Sequence, residues 1–197
     1  MKQHKHFHPL IVEYENTLKS QFPLILVFGR EPNNNIPYKN LVGKYDFDKD
    51  SHSAFWNMSY KFIGKQNNLS TSQLKEECRE RKSSIICITN CMPKPILNKI
   101  KNKNSKRRDI SPEEIKKHIQ NIFSKPIIKR VKIIVLSGVN KKIFFPATNL
   151  IKKLSNKKNI RIIEVPYFAS RLPQKMKLNK RNKSQIVKIY KNWSKSK

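Results

Sequence analysis

Acidic residues are scarce in this chain: Asp and Glu total 13 against 43 Lys and Arg in 197 residues, a formal net charge of +30. A surface so short of carboxylates points to a polyanion as partner. An AT-rich genome accounts for part of the lysine excess but not for the missing acids. Cysteine is scarce as well. Cys78, Cys87 and Cys91 are odd in number and lack paired spacing, and no apolar signal segment precedes the first expected helix. A disulfide framework is therefore not expected, and a reducing compartment, the cytoplasm or nucleoid of a bacterium, is. Long apolar runs are missing too. Stretches such as Pro23 to Phe28 and Val131 to Leu136 fall well short of the roughly 20 residues a membrane helix needs, so no membrane association is expected.

What the chain does contain is four short runs dense in branched apolar residues, Leu24–Phe28, Ile85–Ile88, Val131–Leu136 and Ile160–Val165. Each is nearly continuous rather than alternating, the pattern of a parallel strand covered on both faces. Helical spacing lies between them. Phe55, Met58 and Phe62 mark a helix over Ser53–Ile63. Ser111-Pro112-Glu113-Glu114 opens another, with a cap, a proline at the first position and acids in the first turn. Lys141–Leu154 and Asn182–Trp193 are further helices. Strands alternating with helices predict an α/β fold, a three-layer α/β/α sandwich with a central, mostly parallel four-stranded sheet. One domain covers 1–174, and 175–197 forms a basic C-terminal helix or tail packed on it or extending from it.

In such sheets ligands sit beyond the carboxyl ends of the strands. The loops there are Gly29-Arg30-Glu31-Pro32-Asn33, Thr89-Asn90-Cys91-Met92-Pro93-Lys94-Pro95, Ser137-Gly138-Val139-Asn140-Lys141-Lys142, and Pro166-Tyr167-Phe168-Ala169-Ser170-Arg171. Charge is unevenly placed. Lys94 to Arg108 carries seven Lys and Arg with no acid before Asp109, and from Lys175 onward there are Lys and Arg but no Asp or Glu. Both stretches read as phosphate-facing surface.

Phe28-Gly29-Arg30-Glu31-Pro32 resembles the first motif of the uracil-DNA glycosylase superfamily, a strand followed by glycine, any residue, a polar residue that handles the attacking water, and proline. The resemblance implies Glu31 as the catalytic carboxylate. The end of the second strand, Ile86 to Asn90 followed by prolines, is similar to the segment whose Asn reads the pyrimidine, which gives that role to Asn90. An amide can donate to a carbonyl oxygen and accept from a ring N–H in one planar contact. The loop from Ser137 through Gly138 to Lys141 and Lys142 is similar to the small-residue loop that superfamily members press against DNA phosphates. Phe55-Trp56 matches a pair familiar in the mismatch-specific branch and reads as core packing. In the fourth loop Pro166 and Ser170-Arg171 keep the pattern, but Val165 stands where relatives carry a base-stabilising His or Asn.

The resemblance implies a glycosylase that flips a pyrimidine out of DNA and hydrolyses its N-glycosidic bond. Glu31 would stabilise the oxocarbenium-like sugar, and Tyr45 or Phe47 would stack on the extruded ring. Ser137, Gly138, Lys141, Lys142, Ser170 and Arg171 would hold the phosphates. No cofactor is expected. The alternating His4, His6 and His8 lie in a loose terminus, and three thiols fall one short of an iron–sulfur cluster. The expected partner is DNA, single- or double-stranded, bound by a monomer. Uracil and a modified pyrimidine, hydroxymethylated or glucosylated as in phage DNA, both remain open as substrates. So does a non-catalytic nucleic-acid-binding protein, RNA included.

Overall fold

A computed structural model describes residues 24–30, 54–81, 84–94, 97–98, 106–107, 109–166 and 178–195. The four apolar runs become the strands β1 (Leu24–Gly29), β2 (Ile86–Asn90), β5 (Val131–Ser137) and β6 (Arg161–Val165), joined in one sheet of order β2-β1-β5-β6. Every pairing in it is parallel: Ile25 lies beside Ile86, Leu26 beside Ile134, and Val135 beside Ile163. A short antiparallel pair, β3 (Leu97–Asn98) and β4 (Lys106–Arg107), stands apart from it. The runs are continuous because helices cover both faces of the sheet. All six residues of β1 are buried, and each Leu, Ile or Val removed from water there contributes about 1.5–3 kcal/mol.

The helices are α1 (Ala54–Gln66), α2 (Thr71–Glu80), α3 (Pro112–Phe123), α4 (Phe145–Lys157) and α5 (Lys180–Lys195). Right-handed crossovers put the β1-to-β2 helices on one face and those of the next two connections on the other. The packing follows that division, with α1 against α2 and α5, and α3 against α4. The result is the expected three-layer α/β architecture. The expected α3 cap is present as a capping box: Ser111 Oγ accepts from the Glu114 N–H at 3.1 Å, and Glu114 Oε2 accepts from the Ser111 N–H at 3.0 Å. Helix α2 has the same device in Ser70 and Gln73. The turn between α1 and α2 is tight, with Asn68 at φ 58° and the Leu69 N–H donating to Gly64 O at 2.9 Å. A Cβ on residue 64 would meet Leu69 O at 2.8 Å, so glycine is required there.

One expectation needs correction. The helix expected from Lys141 begins at Phe145, because Lys142–Phe144 form a 3-10 turn ahead of Pro146. Of the two placements expected for the basic tail, packed on the domain or extending from it, its described residues 178–195 take the first. Helix α5 docks on the α1/α2 layer with Ile186 and Trp193 fully buried and Ile189 nearly so. The Tyr190 hydroxyl lies 2.8 Å from both carboxylate oxygens of Glu77.

Candidate functional site

From β1 the chain moves to β2 on one side, then crosses back to β5 on the other, so the crevice of this sheet opens between the carboxyl ends of β1 and β5. Arg30 spans it. Its Nε donates to Gly138 O at 2.8 Å, joining the loop after β1 to the loop after β5. Gly138 has φ 65°, a left-handed conformation that glycine adopts without strain. Its N–H donates to Val165 O at 2.9 Å, so the same residue is fixed on its β6 side as well. On the other flank, the Cys91 N–H donates to Gly29 O at 2.9 Å and the Met92 N–H to Arg30 O at 3.0 Å, which carries the β1–β2 pairing beyond the strands. All four strand ends are thereby tied into one row.

Asn90 closes β2, half-buried, in register with Gly29. The base-reading candidate and the glycine of the first loop are thus direct neighbours across two strands. Sequence reasoning missed what fixes Asn90. His118, buried on the apolar stripe of α3 with Ile115, Ile119 and Ile122, has its Nε2 at 2.9 Å from Asn90 O. A carbonyl only accepts, so Nε2 carries the proton. Burial lowers the pKa of this ring below the ordinary 6.5, while the bond to Asn90 opposes that shift. The signal in the sequence was a histidine at an apolar position of an amphipathic helix. Lys94 ties the loop after β2 to the same helix, 2.7 Å from Glu114, whose carboxyl is held below its usual range chiefly by that lysine.

The remaining candidates divide by exposure. Gly138, Lys141 and Lys142 line the loop after β5, with both lysines exposed. Ser137 is fully buried, with its hydroxyl directed to Pro166 O at 3.3 Å, so it ties β5 to β6 and is not presented to a phosphate. Val165 is buried in the core and contributes only its carbonyl. Burial pushes the Cys91 thiol upward, which suppresses the thiolate and with it nucleophilic chemistry. At the start of α4, just after the two lysines, Phe145 is 44% exposed, the only large apolar side chain so open among the described residues. Glu31, Tyr45, Phe47, Ser170 and Arg171 lie outside the described residues, as do His4, His6 and His8, the side chains of Phe55 and Trp56, and most of the run Lys99–Arg108.

Among the described residues no three His, Cys, Asp or Glu side chains gather where a metal could sit, and no helix is long and apolar enough to cross a membrane. No family model, curated protein or solved structure matches this chain. The comparisons therefore add nothing to the expectation drawn from the residues of the four loops.

Proposed function

We propose that this protein is a monomeric cytoplasmic DNA glycosylase that extrudes a pyrimidine, uracil or a modified base, and hydrolyses its N-glycosidic bond to leave an abasic site. The observation that carries this reading is the register of Gly29 with Asn90, beside the Arg30–Gly138 bond. Three of the four resembling loops thus meet around one crevice. Asn90 reads the edge of the extruded base, its backbone held by His118. Lys141 and Lys142 hold phosphates next to the crevice and offset the few kcal/mol that unstacking costs. Glu31, next in the chain after Arg30, supplies the carboxylate that stabilises positive charge on the sugar and orients water. Tyr45 or Phe47 stacks on the ring, and Ser170 and Arg171 add phosphate contacts from the fourth loop.

Excision of hydroxymethylated or glucosylated pyrimidines would make the protein a defence factor against phage DNA. A second reading, nucleic-acid binding without cleavage, is favoured by Val165. Its side chain is buried in the core and donates nothing where resembling enzymes carry His or Asn.

One experiment separates these readings. Labelled DNA carrying uracil, hydroxymethyl or glucosylated pyrimidines is incubated with the protein, treated with alkali and scored for strand scission. Scission at one base supports the glycosylase, and Glu31→Gln should then lower its single-turnover rate on the order of a hundredfold or more with DNA binding retained. Scission at no base, with salt-sensitive binding intact, gives the binding reading.

A further inference from the structure

A second basic surface lies at the opposite end of the sheet. The 3-10 turn before β5, the amino ends of β5 and β6, the end of α4 and one side of α5 enclose a groove of about 900 Å³. Among the described residues six cationic side chains line it, Lys129, Arg130, Lys132, Arg161, Arg181 and Lys188, without one Asp or Glu. Buried Ile133, Ile160 and Ile189 form its apolar floor. Arg161 is held in place by an uncharged partner, with Nε 3.0 Å and Nη2 2.6 Å from Asn182 Oδ1. The guanidinium is thus oriented while its charge is left uncancelled by that contact.

Like charges gathered in a concave site repel one another and work against folding, so the groove is built for an anion rather than for stability. Its size and number of cations exceed what one phosphate would neutralise and suit a polymer of phosphates. Guanidinium forks and the amides of Asn156, Asn159, Gln185 and Asn192 are the groups that contact phosphate and sugar oxygens. Among the described residues the lining holds no aromatic ring, the usual platform on which a base stacks. We propose that this groove binds the sugar-phosphate backbone of a nucleic acid without reading its bases. Strand β5 has seven residues and separates the two edges by about 20 Å at 3.3 Å per residue. The groove therefore holds phosphates other than those at the crevice, and it does so whether or not the carboxyl edge cleaves.

The test uses the full chain with Lys132→Gln, Arg181→Gln and Lys188→Gln combined, three exposed positions whose neutralisation should leave the melting temperature unchanged or raised. Binding of a fluorescent duplex of ordinary bases is followed by anisotropy across a salt series. The slope of log affinity against log salt should shrink by about 0.9 for each phosphate that the variant no longer neutralises. This decrease should add to that of a Lys141→Gln/Lys142→Gln variant at the other edge. An unchanged slope in a folded triple variant overturns the proposal. So does an equal drop in affinity for polyglutamate, which would make the groove a general anion trap. Because the duplex carries no excisable base, this result is independent of any glycosylase activity.

Discussion

The guanidinium carbon of Arg81 lies 5.1 Å from the ring centre of Trp193, so the residue just after α2 caps the last turn of α5 through a cation–π contact. Trp193 itself is fully buried. The basic C-terminal segment is therefore part of the core. A chain ending before Lys180 should fail to fold cooperatively. Trp193→Ala should cost about 3–5 kcal/mol, read as a lowered urea midpoint at unchanged slope. A truncated chain with a parental midpoint would show α5 to be dispensable.

Acid should destabilise the protein partly through His118. Charging this buried ring is unfavourable, so the folded chain binds the proton less tightly than the unfolded chain, whose histidine titrates near 6.5. Below about pH 6.5 the unfolded state takes up a proton that the folded state refuses, so stability falls as pH falls until the lowered folded-state pKa is reached. Above about pH 6.5 the contribution is complete. In His118→Gln the amide can still donate to Asn90 O, and its urea midpoint should fall less between neutral pH and about pH 5. A parallel fall in both proteins would assign the acid sensitivity elsewhere.

On the proposed glycosylase reading, Asn90→Asp should change which base is excised, by about tenfold or more between competing substrates, because the exchanged donor leaves a polar edge unpaired. Asn90→Ala should abolish excision with the fold intact. Unchanged rates for both variants across the substrate panel would reduce Asn90 to a strand terminus.

Phe145 gives a cheap test of the carboxyl edge as a nucleic-acid surface. Its exposure means that Phe145→Ala should move stability by only about 0.5 kcal/mol. If the ring stacks on or wedges against a base, removing it should weaken DNA binding by about 1–3 kcal/mol, measured by anisotropy. Parental affinity would leave Phe145 as ordinary surface.

The sheet was legible in the sequence because burial on both faces leaves continuous apolar runs such as Leu24–Phe28, which no described helix imitates. Helix α2 was not, since only Leu74 and Cys78 are buried along it and two apolar positions make no stripe. Its one local signal was the Ser70–Gln73 capping pair. The start of α4 was misplaced because Lys141 follows a turn-forming glycine, while the chain spends three residues in a 3-10 turn first. At the site, the order of strands and loops put Asn90 and Gly138 at the carboxyl edge. The inward turn of Ser137 and the contact of His118 with a backbone 28 residues earlier are tertiary facts, without a local pattern to announce them. The groove at the amino edge was hidden for the same reason. Its cations come from three separated segments, and only Arg181 and Lys188 belonged to a charge run visible in the sequence.

The central position of β1 also sets an order of events during synthesis. Leu26 lies between Cys87 and Ile134, the second of which emerges more than a hundred residues after it. This wholly buried strand is thus made before the other described strands of its sheet, with both hydrogen-bonding edges open until the middle of the chain has followed. Contacts of such long sequence separation form slowly, and an unpaired apolar strand is what aggregating chains recruit. Sheltering β1 in that interval, by low growth temperature or a chaperone, should therefore raise the yield of folded protein without any change in the stability of the finished sheet.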